Sequence, residues 1–236
     1  MLALEVAHHH FDRVSFDLIY GRQNQSLSSW EAELTRAISL SSGHLSLYQL
    51  TIEPGTAFGY RASAGKLTGL PNEDLSADMF EFTDTTCALA GLNSYEVSNF
   101  SSEGLESKHN LIYWMGGDYI GIGPGAHGRI TSDNQRLATR TMLSPAAWLD
   151  TVHLKSSGEL TPDILSKTDH ANELIMMGLR LKGGISQSRI EAMVGKKFNI
   201  TTELTDLGLL DISDGFIRAT NSGRALLNQV IQKLMF

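Results

Sequence analysis

Two stretches carry the side chains best suited to chemistry. In HNLIYW (109–114) an imidazole and a carboxamide precede two amphipathic aromatics, and in GPGAHG (123–128) a second imidazole, His127, sits in a glycine-rich turn. A neutral imidazole is a good ligand for heme iron, and Tyr113 and Trp114 offer flat faces that can line a macrocycle. Asn110 would either hydrogen-bond a ligand carboxylate or fix a backbone turn. The same residues have a structural reading, in which His109 and Asn110 cap a loop while Tyr113 and Trp114 are core. Spacing alone leaves both open.

Other candidates are weaker. Asp17, near the end of the stretch SFDLIYG (15–21), can accept from the two hydroxyls of a ribose, or can hold a neighbouring loop. Gly121, Gly123, Gly125 and Gly128 let a backbone approach a ligand closely or make an irregular turn. They lack the G-x-G-x-x-G spacing of a dinucleotide fingerprint, and Pro124 interrupts them. His8, His9 and His10 have no partner at metal-ligand spacing and read as a solvated loop. The single cysteine, Cys87, excludes an internal disulfide and a cysteine-based zinc site, and reads as a buried structural thiol. No serine nucleophile elbow, H-E-x-x-H or phosphate-binding P-loop occurs.

These residues must be positioned by an α/β segment. RVSFDLIYG (13–21) reads as a buried strand closed by glycine. Ser28 with Glu31 three residues later is a capping-box pattern, followed by Trp30, Leu34, Ala37 and Ile38 at helical spacing. HLSLYQLTI (44–52) is a second strand, and a strand, helix and strand with short connections require parallel pairing. Residues 74–90 form a helix ended by Gly91; SYEVSNF (94–100) is a third strand, and DYIGIG (118–123) is a short apolar piece running into the glycine turn. Ligands of parallel sheets and barrels sit at the C-terminal strand ends.

From about residue 140 the pattern turns helical. Ser144 and Pro145 sit at N-cap and first helical positions, opening a helix to about residue 158. Further helices cover 163–181, 186–195 and 201–208. LLDISDGFIRAT (209–220) is a hairpin turning at Asp214-Gly215, and an amphipathic helix (223–234) closes the chain. Helices, a two-stranded wing and a closing helix suggest a winged-helix-like module, giving domains of 1–139 and 140–236.

The chain has 236 residues, 42% hydrophobic and 19% charged, as in ordinary globular proteins. No stretch reaches the roughly 20 apolar residues that span a bilayer, and the first residues do not form a signal peptide, so a cytoplasmic protein is expected. A net charge of -7 argues against broad nucleic-acid binding. Residues 180–236 hold eight Lys and Arg against five Asp and Glu, including Lys196 and Lys197, so a DNA-binding winged helix is an alternative.

FDLIYG, HLSLYQLTIEPGTAFG, YEVSNF, HNLIYW and GGDYIGIGPGAHG together resemble the radical SAM family of oxygen-independent coproporphyrinogen III oxidases, and most closely its heme chaperone branch, HemW. The H-N-x-x-Y-W pattern is the most specific part. The resemblance implies the later part of a radical SAM partial (β/α) barrel followed by the winged-helix-like domain. It also implies heme binding, delivery of heme to client hemoproteins, a [4Fe-4S] cluster and S-adenosylmethionine. On it, His109 becomes the candidate heme-iron ligand and His127 a second candidate, with Asn110, Tyr113 and Trp114 around the heme, and Asp17 the position that contacts S-adenosylmethionine. The alternative within the family is a piece of a coproporphyrinogen III oxidase of porphyrin biosynthesis.

The sequence departs from the family where the cluster is held. The family's C-x-x-x-C-x-x-C is absent, and Arg22-Gln23-Asn24 replaces the L-P-G or L-P-D after the strand-end glycine. A fragment that is not catalytic alone is therefore expected, with the strand 13–21 as an uncovered edge and a further polypeptide as one possible source of the missing barrel half.

Overall fold

A computed structural model describes residues 2–198, 200 and 202–236. Two units divide between Glu106 and Ser107. The expected boundary at 139/140 falls instead within the second unit, where a strand ending at Arg140 continues its pairing into residues 163–165.

The first unit runs α1 (Leu2–His10), β1 (Asp17–Tyr20), α2 (Leu27–Leu40), β2 (His44–Gln49), α3 (Ala57–Ser63), α4 (Glu73–Leu89), β3 (Asn93–Ser94) and β4 (Asn99–Ser101). The sheet order is β1-β2-β4-β3. The expected parallel pair is present, with Asp17 opposite Ser46 and Tyr20 opposite Gln49. The expected single third strand is not. Its residues fold back as β3 and β4, and β4 runs antiparallel to β2. The sheet is therefore mixed, and among the described residues it does not close into a barrel.

Trp30 and Leu34 of α2, Leu45 and Leu47 of β2, Met79 of α4 and Phe100 of β4 form the first unit's core. Trp30 stacks on Tyr20 with ring centroids 4.8 Å apart and donates from Nε1 to Thr83 Oγ1 at 2.8 Å. An aromatic this large excludes much water, and its one polar atom is satisfied inside the core. β1 differs from expectation: it is shorter than 13–21, and only Tyr20 is buried. It lies at the sheet's edge, and among the described residues no strand pairs with its other side.

The cap of α2 is Ser26 rather than Ser28. Ser26 is extended and its side chain accepts from Ser29 N, which satisfies one of the free amides at the helix start. His8, His9 and His10 form the last turn of α1, not a loop; His8 Nδ1 lies 2.9 Å from Ser42 Oγ. Gly91 follows α4 at φ +77, as its position predicts.

The second unit runs α5 (Lys108–Trp114), β5 (His127–Ser132), β6 (Gln135–Arg140), α6 (Pro145–Lys155), β7 (Asp163–Leu165), α7 (Lys167–Gly178), β8 (Ile185–Ser186), α8 (Gln187–Val194), α9 (Thr202–Asp206), β9 (Leu210–Ser213), β10 (Phe216–Ala219), α10 (Asn221–Ala225) and α11 (Leu227–Leu234). Ser144 and Pro145 begin α6 as expected. Residues 163–165, expected as helix, pair with β6, and the helix starts only after Ser166, which accepts from Asp169 N. The β9–β10 hairpin turns at Asp214 and Gly215 with φ of 53 and 77. A third strand, β8, pairs with β10. Leu174, Ile175, Ile190, Leu204, Ile217 and Val230 are buried among these elements.

The short apolar piece 118–123 makes one antiparallel bridge, between Tyr119 and Arg129. Gly123 and Gly125 take φ of +96 and +69 there, conformations that cost a glycine little. The chain then enters the β5–β6 hairpin, turned by Asp133 and Asn134, both at positive φ.

Candidate functional site

HNLIYW lies on α5. Ser107 caps its start by accepting from Asn110 N at 3.3 Å. At its end Gly116, at φ +64, allows the amides of Gly116 and Gly117 to turn back onto the carbonyls of Tyr113 and Ile112, at 3.0 and 2.7 Å. This paired 5→2 and 6→1 bonding terminates a helix sharply.

Helical spacing divides the motif into two adjacent stripes, because residues four apart share a face. His109 and Tyr113 form one. Tyr113 Oη is 3.1 Å from His109 Nε2, and the two rings meet edge-on with centroids 4.8 Å apart. Tyr113 in turn meets Tyr119 edge-on at 4.4 Å. Asn110 and Trp114, both half-buried, form the other stripe. His109 is exposed, so its imidazole is open to a ligand from solvent.

His127 opens β5 and is also exposed, outside the His109–Tyr113–Tyr119 array. Asp17 belongs to the first unit, exposed at the start of β1. The loop after β1 is tied down: Arg22 makes two hydrogen bonds to the Glu33 carboxylate, at 2.6 and 2.8 Å, and the Asn24 amide donates to Gly69 O at 2.6 Å.

Several residues near α5 are not found by motif reading. A cavity of about 90 Å³ is lined by Tyr113, Tyr119, Arg129, Arg136, His170 and Glu173, among others. Arg129 grips Glu173 with Nε and Nη2, at 3.0 and 2.6 Å. Arg136, buried, bonds the Asp118 carboxylate and donates to Thr131 Oγ1 at 3.0 Å. The amide and hydroxyl of Thr131, with Arg136, hold the Asp118 carboxyl below its usual range. Burial, and then the Arg136 charge, push the His170 imidazole below its ordinary value. These residues are scattered over 118–173, so no local pattern marks them; Tyr119, next to the glycine-rich turn, is the nearest to a sequence signal.

Cys87 is fully buried in the first unit, and burial pushes its thiol up to about 12. A cluster needs several accessible thiolates. One buried thiol does not fit a [4Fe-4S] centre. Among the described residues no group of three or more His, Cys, Asp or Glu is arranged to hold a metal ion, and no helix is long and apolar enough to cross a membrane.

Residues 165–226 match the HemN C-terminal domain. The chain is 32% identical to the mitochondrial radical S-adenosyl methionine domain-containing protein 1 of Danio rerio, over 94% of this chain and 53% of that protein. It is 32% identical to the heme chaperone HemW of Bacillus subtilis, over 93% and 58%, and 33% identical to that of Escherichia coli, over 92% and 56%. The chain thus spans about half the length of these relatives. The solved structure of coproporphyrinogen III oxidase (HemN) from Escherichia coli matches 99% of this chain and 57% of its own with a TM-score of 0.73. At 18% identity that likeness shows a shared fold. With H-N-x-x-Y-W on α5 and residues 165–226 matching the HemN C-terminal domain, the chain is similar over its length to the C-terminal part of the radical SAM coproporphyrinogen III oxidase-like proteins, the HemW heme chaperones among them.

Proposed function

We propose that this chain binds heme through α5 and serves heme delivery of the HemW type, with hemoproteins as its clients. The observation that carries the reading is the exposed His109 imidazole with the Tyr113 hydroxyl 3.1 Å from its Nε2. As acceptor of the Nε2 proton, that hydroxyl selects the tautomer whose Nδ1 keeps the lone pair a metal needs. Bound heme would supply an iron centre needing an axial ligand and a flat apolar surface needing cover. His109 would give the first. Tyr113, Trp114 and the exposed Ile112 would give the second, with Asn110 at a propionate and His127 as a further contact.

In this reading the radical SAM chemistry is not performed by this chain, whose one thiol does not fit a cluster. Asp17 is the single position assigned to S-adenosylmethionine, as an acceptor for ribose hydroxyls. A polypeptide adding strands along the open side of β1 would complete a barrel. The elements from α7 to α11 are read as a winged-helix-like module that packs rather than binds nucleic acid; Lys196, for example, stands 5.0 Å from the Phe236 ring centre. A cytoplasmic location belongs to the same proposal, and fractionation tests it.

Hemin titration followed in the Soret region tests the core of the reading. We expect His109→Ala to weaken binding by at least about tenfold, the loss of a metal–ligand bond being worth more than ~1.4 kcal/mol, while His127→Ala binds more nearly like the parent chain. Equal affinity and an unchanged spectrum for His109→Ala would overturn it.

A further inference from the structure

α5 is a poor candidate for a self-supporting helix. It has seven residues, none of them buried, and isolated helices shorter than about 12 residues are marginal in water. Something outside it must hold it in place.

Its C-terminal end is held from two directions. Arg189 of α8 donates from Nη1 to Met115 O at 2.6 Å. Arg136 of β6 donates from Nη2 to Gly117 O at 2.7 Å and to Gly116 O at 3.3 Å. Three successive carbonyls, at the helix's C-cap and just past it, are thus taken by two guanidinium groups. Positive charge at this end also complements the helix dipole. Arg136 is itself fixed by Asp118 and Thr131. Packing reinforces the arrangement: a Cβ at Gly116 would come within 3.0 Å of Leu174 Cδ1 and 3.5 Å of Arg189 Nη2.

We propose that Arg136 and Arg189 are positioning residues for the His109–Tyr113 face, clamping the end of α5 so that the imidazole is presented in one orientation. The inference rests on the heme reading above and assigns a role to the C-terminal segment. Arg189 and Leu174 both lie in residues 165–226, which match the HemN C-terminal domain. That domain then acts as the support of the ligand-bearing helix, and a change in it is felt at His109 without contact to the ligand.

Arg189 is the better position to test, since removing the buried Arg136 takes away the ionic partner of Asp118 together with several ties of its own and endangers folding of the unit. The full chain and its Arg189→Ala and Arg189→Lys variants are compared in two ways. Without heme, amide exchange is followed at 111–117. With hemin, affinity is measured together with the electron paramagnetic resonance signature of the axial imidazole. Arg189→Ala should speed exchange at 111–117 and weaken hemin binding about tenfold, as expected for one lost charge-assisted hydrogen bond, with a broadened axial signature. Arg189→Lys, which keeps one donor and the charge, should recover most of both. Unchanged exchange in Arg189→Ala would overturn the clamp. Faster exchange with unchanged affinity and signature would make it a structural tie only, which also overturns the proposal. If the parent chain binds no hemin at His109, the heme reading falls, and with it the assigned role, while the exchange arm still reports whether the helix is clamped.

Discussion

In the first unit Trp30 is fully buried, stacked on Tyr20 and bonded to Thr83, and the surrounding elements contribute Leu34, Leu45, Leu47 and Met79 to the same core. In the second, α5 buries none of its residues, and its end is held by hydrogen bonds from Arg136 and Arg189. Apolar packing is non-directional and shared over many contacts, so it sets where elements lie. Arginine–carbonyl bonds are directional and few, so they set how a helix is oriented. The helix with the ligand-capable side chains is thus the one that depends on few, specific bonds. Such elements can be exposed and still ordered, at the cost of sensitivity to single substitutions.

The largest effect expected from this contrast is in the first unit. Trp30→Ala should cost about 3–5 kcal/mol, the usual range for removing a large buried aromatic, read as a lower denaturant midpoint. A folded variant within a few tenths of a kcal/mol of the parent would show that the core does not centre on Trp30.

A smaller effect is expected where a polar tie is cut. Glu173→Gln weakens the two-point grip on Arg129, whose side chains are 29% and 21% exposed, and should cost ~1–3 kcal/mol in the stability of the second unit. Exchange protection resolved by residue would locate the loss in 107–236; a loss spread equally over both units would blur the distinction drawn above.

The smallest concerns pH and reaches both units. Burial depresses His44 in the first and His170 in the second, aided by Arg13 and by Arg136 respectively. A depressed folded value means the unfolded chain takes up protons first as the pH falls. Their contribution is therefore complete above the ordinary histidine value of about 6.5 and is lost as the pH drops through it toward the folded value. Melting between pH 8 and 5 should show falling stability. His170→Asn should reduce the slope for the second unit and leave that of the first, where His44 lies 2.7 Å from Ser15 Oγ and 2.9 Å from Tyr95 Oη.

Much of the local structure is legible in the sequence. The Ser144-Pro145 helix start, the Asp214-Gly215 hairpin and the β1–β2 pair all follow from short-range rules, because caps and tight turns depend on a few neighbouring residues. The β5–β6 hairpin carries a readable signal too, in Asp133-Asn134, whose short polar side chains tolerate positive φ. The fold of 93–101 into two strands is different. Alternation in SYEVSNF is compatible with one strand or two, and pairing with β2 decides between them. Residues 163–165 likewise continue a helical pattern, yet form β7 because β6 offers them a partner.

For the candidate site, residue types and spacing by themselves marked His109, Asn110, Tyr113 and Trp114 as ligand-capable and determined that a single cysteine cannot hold a cluster. The second follows from composition alone, which needs no tertiary partner; that His109 and Tyr113 share a face follows only once 108–114 is held as a helix. Only the tertiary structure decided that Tyr119 meets Tyr113, that Arg136 and Arg189 reach the same helix end, and that His170 is half-buried near an arginine. Those partners stand up to 74 residues from the atoms they hold. Contacts at such separations form only when the whole unit closes around them, and no local propensity encodes them.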